Sequence, residues 1–146
     1  MADTGVYAED INYWETSRVP PNDWMEKARR EIEGAGGTVL AEAFGSDEGG
    51  RAAFMLGFSL GGERFRIVWP VLTSKTGKER AARIQAATML YHDVKARAVA
   101  AKVLGSRAAF LTFLLLPDGR TMGQVATPEL ERMLPRLLSQ PYQLEG

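Results

Sequence analysis

A two-glycine turn at Gly61-Gly62 constrains the fold of this chain more than any other feature of its 146 residues. Two segments of alternating apolar residues, 52–60 and 63–71, flank the turn. Glycine tolerates positive φ, so such a two-residue loop connects antiparallel strands and determines which residues are paired across them. Six apolar residues then share one face of the hairpin, which must contact the core: Phe54, Leu56, Phe58, Phe65, Ile67 and Trp69.

The opposite face of the hairpin is small and basic near the turn. The same register pairs Ser59 with Arg64 and Gly57 with Arg66. Directly opposed residues on one face are neighbours, and glycine and serine leave the guanidinium groups uncovered. We therefore expect Arg64 and Arg66 on the outer surface of the sheet.

A helix and a further strand are predicted before the hairpin. Asp23 and Glu26 have the spacing of a capping box, so a first helix should begin near Asn22 or Asp23. The glycines within 34–37 should end this helix. Residues 38–44 are then a plausible third strand, which makes the sheet an antiparallel meander.

A long helix is predicted after the hairpin. Thr76 and Glu79 form a second capping-box pattern, which indicates a helix from about Lys78 to Leu104, with Gly105 at its end. This segment is apolar around most of its circumference and should be buried on more than one side. Either the N-terminal arm and the last helix cover the second side, or another subunit does, which would make a homo-oligomer.

The last third of the chain is predicted to be a strand pair and a short helix. The apolar run 108–116 is expected to form a strand, which turns at 117–120 and returns over 121–125. Residues 127–129, Thr-Pro-Glu, should begin a helix that runs to about Leu138.

This order of elements predicts an α+β fold: a three-stranded antiparallel meander followed by a long helix, then a strand pair and a short C-terminal helix. Residues 1–20 lack periodicity and are expected to be an extended arm. Residues 21–140 should form a single α+β domain, and residues 141–146 a frayed tail. The acidic N-terminus and the shortness of every apolar run favour a cytoplasmic protein that does not enter a membrane.

The composition argues against most catalytic and metal sites. The chain has no cysteine and one histidine, which excludes disulfides, thiolate zinc sites and cysteine nucleophiles. His92 and Asp93 are adjacent, and neighbours on a helix point about 100° apart. Gly77-Lys78 is reminiscent of a phosphate loop, but the earlier glycine is missing and Glu79 replaces the hydroxyl residue that would bind magnesium. We predict a non-enzymatic protein without cofactor or metal; an enzyme using His92 or Asp93 is a lesser alternative.

The net charge of zero conceals a strong segregation along the chain. Residues 1–50 carry 11 acidic and 4 basic side chains, whereas residues 74–107 carry 2 acidic and 8 basic ones. The basic segment indicates a surface for a polyanion. The alternative is that the acidic and basic segments face each other in the fold and cancel.

Six basic residues are the candidate nucleic-acid contacts. The helix start already has positive partial charge and free backbone N–H groups, so cations clustered there would form an anion site together with these groups. The alternative is a solvated, lysine-rich helix start whose charge repulsion is tolerated. The candidate contacts comprise the two outward arginines of the hairpin and four cations around the helix start: Arg64, Arg66, Lys75, Lys78, Arg80 and Arg83.

The hairpin over 54–69 and the helix over 85–105 together resemble the core of the single-strand annealing proteins of recombination, both eukaryotic and phage. The helical resemblance lies in Gln85-Ala86-Ala87-Thr88, Lys95-Ala96-Arg97-Ala98 and Leu104-Gly105. In that family the helix packs behind a basic sheet surface that holds the DNA backbone. The resemblance implies a non-enzymatic protein that binds single-stranded DNA, often as rings or filaments.

Two functions of different classes follow from these features. The first is a nucleic-acid-binding protein that uses the six basic residues, and the resemblance implies that it binds and anneals single-stranded DNA. The alternative is a small protein-binding regulator, such as a phage-like factor that attaches to a host enzyme, because the first third is acidic and the long helix has spare apolar surface. A structural or assembly protein is a third possibility.

Overall fold

The computed structural model describes residues 5–138, and side-chain environments through residue 133, so the predicted tail over 141–146 lies outside the described residues. The helices and strands are α1 (Pro21–Gly34), β1 (Thr38–Ser46), β2 (Ala52–Leu60), β3 (Glu63–Pro70), α2 (Glu79–Leu104), α3 (Ser106–Ala109) and α4 (Met122–Leu138). This order confirms the α+β class, with an antiparallel meander followed by a long helix.

The sheet has the strand order β1-β2-β3 and is antiparallel throughout. The predicted hairpin register is confirmed: Phe54 is opposite Trp69, Leu56 opposite Ile67 and Phe58 opposite Phe65. Gly61 and Gly62 have φ values of 61° and 80°, which side chains other than glycine rarely adopt. β1 pairs along the free side of β2, and its register shifts between Val39 and Ala41, which is a β-bulge.

One face of the sheet carries the hydrophobic core, and α1 and α2 both pack on it. Residues of both helices join the inward residues of β2 and β3 in one buried cluster. At one end of this cluster the rings of Phe58, Phe65 and Phe110 lie with centroids 5.1 to 5.7 Å apart. These ring contacts attach the segment after α2 to the sheet.

Both predicted capping boxes are wrong, although the helices they belong to are present. α1 begins at Pro21, whose fixed φ suits the first helical position, so Asp23 already lies inside the first turn. The residue at the N-cap of α2 is Lys78, with no side-chain cap, and the Thr76 hydroxyl donates to Glu9 instead. The predicted ends of the long helix are otherwise confirmed within one residue.

The predicted strand over 108–116 is wrong. Gly105, with φ 91°, breaks the chain away from α2, and the run folds as α3 and a 3-10 turn at Leu111–Phe113. Only single antiparallel bridges remain, from Leu114 to Phe65 and from Leu115 to Thr121. Of the strand pair predicted for 108–125, only the bridge between Leu115 and Thr121 is present.

The C-terminal helix begins earlier than predicted. The backbone N–H of Thr121 donates to the Gln124 side chain, and the N–H of Gln124 donates in return to the Thr121 hydroxyl. This reciprocal cap starts α4 at Met122, five residues before the predicted start at Thr127. Pro128 then lies inside the helix.

The N-terminal arm is folded against the domain instead of being extended throughout. Ala8 to Asp10 form a 3-10 turn, and Tyr7 makes a parallel bridge to Thr73. Ala8 is fully buried, and its N–H donates to the Thr73 carbonyl at 2.9 Å. The arm therefore packs against the domain, next to the loop that precedes α2.

Membrane-spanning helices are absent from the part of the chain that the structure describes, because none of its helices is both long and apolar enough.

Candidate nucleic-acid interface

The six predicted contacts do not form one surface. Arg64 and Arg66 lie on the face of the sheet opposite to the core, paired with Ser59 and Gly57 as predicted. The other four lie in the loop before α2 or in its first turns, and α2 packs on the core face of the sheet. The fold therefore divides the predicted site in two.

The acidic arm neutralises the lysines of the loop before α2. The Lys75 ammonium lies 2.9 Å from the Asp10 carboxylate, and the Lys78 ammonium lies 3.1 Å from Glu15. The ion pair with Asp10 raises the pKa of Lys75. At this end of α2, the acidic and basic segments therefore face each other and their charges cancel, which is the second of the two alternatives for the charge segregation.

The carboxylate of Glu9 is bound inside the same loop. It accepts hydrogen bonds from the Ser74 hydroxyl at 2.8 Å, the Lys75 backbone N–H at 2.9 Å and the Thr76 hydroxyl at 3.3 Å. Desolvation opposes ionisation of Glu9, but these bonds outweigh it and lower its pKa from 4.5 to about 2. The loop that was predicted to bind an external anion holds an anion of its own chain.

The two arginines at the start of α2 have different environments. The Arg83 guanidinium lies over the Phe44 ring, 5.1 Å from its centroid, and 3.9 Å from the Glu79 carboxylate. Arg80 is exposed, and among the described residues its side chain has no hydrogen-bond or ion-pair partner. Arg80 is therefore the one predicted contact at this end that stays uncompensated within residues 5–138.

On the outer face of the sheet, Arg66 is partly engaged and Arg64 is free. The Arg66 guanidinium donates to the Gly119 carbonyl at 2.9 Å, while its Nε is buried without a partner within the described structure. Arg64 is exposed, and its side chain has no partner among residues 5–138. Its backbone carbonyl accepts the N–H of Leu115. The two guanidinium groups thus differ in how available they are to a ligand.

Small residues surround these arginines, and we call this surface the outer sheet face. It consists of the outward residues of the three strands: Thr38, Ala41, Ala43, Gly45, Ala53, Met55, Gly57, Ser59, Arg64, Arg66, Val68 and Pro70. Ala53, near the end of the strands away from the Gly61-Gly62 turn, is buried, and the other residues of this set are partly or fully exposed. At the β3 side the face is bordered by a groove of about 530 Å³, between Arg64 and the segment Leu114–Gly119. The exposed part of this face is therefore positive on its β3 side, where Arg64 and Arg66 lie.

The residues considered for catalysis are engaged in structural contacts. Asp93 forms an ion pair with Arg97 at 2.8 Å, one turn further along α2. His92 stacks on Tyr13 of the arm, with ring centroids 4.8 Å apart. Within the described residues there is also no cluster of three or more potential metal-binding side chains. Both residues thus take part in contacts within the fold: Asp93 along α2 and His92 between α2 and the arm.

Gln85 is the residue whose importance the sequence did not reveal. It lies on α2 and is fully buried, and its side-chain amide donates to the carbonyl oxygens of Ala8, Ile11 and Asn12. A glutamine within an alanine-rich helix carries no pattern that would indicate this role. Gln85 anchors the arm, and with it the acids that neutralise Lys75 and Lys78.

No family model matches this chain, and no curated protein and no solved structure is significantly similar to it. The resemblance to single-strand annealing proteins thus stays a prediction that rests on the hairpin and the long helix.

Proposed function

We propose that the protein is a non-enzymatic nucleic-acid-binding module that contacts the phosphate backbone of a single strand through the outer sheet face. The observation that carries this proposal is the position of Arg64, which is exposed and uncompensated on a face that both α1 and α2 leave uncovered. Arg66 lies beside it, with a buried Nε that has no partner within the described residues.

The start of α2 is the weaker location for this function. Lys75 and Lys78 are already paired with Asp10 and Glu15, so an incoming phosphate would have to displace two carboxylates. A free arginine requires no such exchange, and guanidinium groups suit phosphate through their planar set of donors. We therefore assign the primary contact to Arg64, a secondary one to Arg66, whose guanidinium is partly held by the Gly119 carbonyl, and a peripheral one to Arg80.

The chemistry of the face favours backbone contact over reading of bases. Apart from Met55 and Val68, the uncharged residues between the arginines and β1 are small, which allows a strand to approach closely. Trp69 lies on the core face, opposite Phe54, and is not available for stacking of bases on the outer face. We expect binding with little sequence preference and a strong dependence on salt.

Fluorescence anisotropy of a labelled single-stranded oligonucleotide tests this proposal. The protein is titrated at several salt concentrations between about 50 and 200 mM, and each phosphate neutralised on a single strand contributes a slope of about −0.7 in log K against log salt. Arg64→Glu should abolish binding. Lys102→Glu is the matched control, because Lys102 is exposed on α2, which packs on the face of the sheet opposite to Arg64, and the charge change is identical.

The two variants separate a site from a general charge effect. Equal weakening by Arg64→Glu and Lys102→Glu would show that only net charge matters and would contradict the assignment to the outer sheet face. Absence of binding by the wild-type protein at the lowest salt would refute the nucleic-acid function itself.

A second candidate function, a protein-binding regulator, is favoured by one specific observation. The last turns of α2 expose large apolar side chains: Val99 is 56%, Val103 79% and Leu104 67% exposed. Apolar contacts survive salt, whereas phosphate contacts weaken. A protein complex that persists in high salt and is lost in Val103→Lys, while oligonucleotide binding is absent, would support this function over the first.

A further inference from the structure

The outer edge of β1 is unprotected in a way that sheet edges seldom are. β1 is nine residues long, and within the described part of the chain its second edge pairs with no strand. Leu40 and Phe44 are 53% and 46% exposed on it. Edge strands present unpaired N–H and C=O groups, and proteins usually protect them with lysine, proline or an inward charge.

The features that protect edges are largely missing from β1. Its bulge between Val39 and Ala41 disturbs only the first half, so residues 41–46 pair regularly with β2. Its single charge is Glu42, which is neutralised by Arg29 of α1 at 2.8 Å. The strand therefore has no uncompensated charge that would repel a second strand of the same kind.

We propose that two copies of this chain pair antiparallel through β1 about a two-fold axis at Ala43. In that arrangement Ala43 is opposite the partner's Ala43, and Ala41 is opposite the partner's Gly45. Residues directly opposite in an antiparallel pair lie on the same face of the sheet. Ala41, Ala43 and Gly45 all lie on the outer sheet face, so small residues meet small ones.

Charge complementarity on the helix side of the sheet selects a second copy as the occupant. Glu42 is opposite the partner's Phe44 in this register, and both side chains lie on the face toward the helices. The partner's Phe44 carries the partner's Arg83 guanidinium over its ring, because the two groups are 5.1 Å apart in each copy. In the proposed pair Arg83 would therefore lie beside the partner's Glu42 and share that carboxylate with the partner's Arg29, twice by symmetry.

A groove beside β1 accommodates the aromatic residue. A space of about 420 Å³ lies between α1 and the edge strand and is lined by Met25, Arg29, Glu42 and Phe44 among others. The partner strand adds its Phe44 on this same side, next to Glu42. The pairing therefore covers an exposed phenylalanine and supplies the missing backbone partners in one step.

The resulting dimer has a continuous sheet with three strands from each copy. The two outer sheet faces then form one surface with an Arg64 and Arg66 pair at each side. This association does not depend on nucleic-acid binding, because the contacts are made at the β1 edge and not at the arginines.

Single-cysteine variants test the register directly, since the chain has no cysteine of its own. Directly opposite residues of an antiparallel pair have Cα separations of about 4.5 or 5.5 Å, within the range of about 4.4–6.8 Å that a disulfide accepts. Ala43→Cys should therefore form a disulfide-linked dimer rapidly under mild oxidation. Ala41→Cys is the matched control on the same strand and face, where the two sulfurs would be displaced by about 13 Å along the strands.

Sedimentation equilibrium of the wild-type full chain and of two charge variants completes the experiment. Arg83→Glu should raise the dimer Kd about 2- to 30-fold, since the change affects both symmetry-related pairs. Arg80→Glu, the same charge change one turn earlier on α2, should leave the Kd unchanged. A wild-type protein that stays monomeric at all concentrations, or linkage of Ala41→Cys as fast as Ala43→Cys, would overturn the proposal.

Discussion

Replacement of Gln85 by methionine should loosen the N-terminal arm without removing volume from the core. Gln85 is fully buried, and its Nε2 lies 2.7 Å from the Ala8 carbonyl oxygen, 3.2 Å from that of Ile11 and 3.1 Å from that of Asn12. Methionine has nearly the same length and shape but donates no hydrogen bond. The substitution therefore isolates the hydrogen bonds from the packing of α2.

The expected loss of stability follows from the groups left without partners. A buried polar group that loses its partner costs about 1–3 kcal/mol, and the Ala8 carbonyl is such a group because Ala8 is fully buried. Part of this cost is offset, since the Gln85 Oε1 is itself buried without a partner among the described residues. We expect Gln85→Met to lower the free energy of unfolding by about 1–2 kcal/mol, or roughly 2–8 °C in Tm for a chain of this size. Gln85→Glu should cost more, because its carboxylate would face three carbonyl oxygens.

Urea unfolding and limited proteolysis measure the two consequences separately. Gln85→Met should unfold at lower urea concentration, and cleavage within residues 5–20 should become faster while cleavage of the sheet does not. Lys95→Met, an exposed site on the same helix, is the control and should match wild type in both assays. Wild-type stability and an equally protected arm in Gln85→Met would refute the claim that these hydrogen bonds hold the arm.

Two further predictions concern the arm and the turn after α1. Because the pKa of Glu9 is lowered from 4.5 to about 2, its ionised form stabilises the fold above about pH 4.5, and this contribution disappears as the pH falls toward 2. The stability of Glu9→Gln, measured by urea unfolding at a series of pH values, should therefore fall less steeply across this range than the stability of the wild type. Gly37→Ala should destabilise the protein by about 1–3 kcal/mol in thermal unfolding, because the added Cβ would lie 2.8 Å from the Ser59 carbonyl oxygen. Gly34→Ala places its Cβ in open space and should raise the stability by about 0.4–1 kcal/mol in the same assay. An unchanged stability of Gly37→Ala would contradict the close approach of Gly37 to Ser59.

The sheet could be predicted because two independent signals agreed there. The alternation of apolar residues and the Gly61-Gly62 turn both specified the same register, and every predicted pair from Phe54–Trp69 to Ser59–Arg64 is present. The long helix was predictable for a similar reason, since its apolar pattern continues to the glycine that ends it. Where the hydrophobic periodicity and the turn residues indicate the same elements, the local sequence is sufficient to predict them.

The segment after α2 could not be predicted by the same reasoning. An apolar run of the length of 108–116 is compatible with a buried strand or with helical turns, and periodicity does not separate them. Its fold is decided by Phe110, which packs against Phe58 and Phe65, and by Gly105, which redirects the chain. Thr121 and Gln124 have the spacing of a capping box, so the true start of α4 has a local signal in the sequence, and Pro128 at an interior position competes with it.

The candidate site was predicted only in part, because some of its contacts join residues that are far apart in the sequence. Arg64 and Arg66 were assigned to the outer face from the hairpin register, which is a local property. The pairing of Lys75 with Asp10 joins residues 65 positions apart, and nothing in either segment specifies it. Linear charge blocks indicated two opposite surfaces, and the fold brings part of them together.

Backbone amide chemical shifts on addition of a single-stranded oligonucleotide test the central claim, which is that the outer sheet face binds nucleic acid. The account predicts shift changes at Gly57, Ser59, Arg64 and Arg66 that are suppressed by salt, and none in the loop over 73–78, where Glu9 and Asp10 occupy the donors. Shift changes centred on the 73–78 loop, with the strands unaffected, would contradict it.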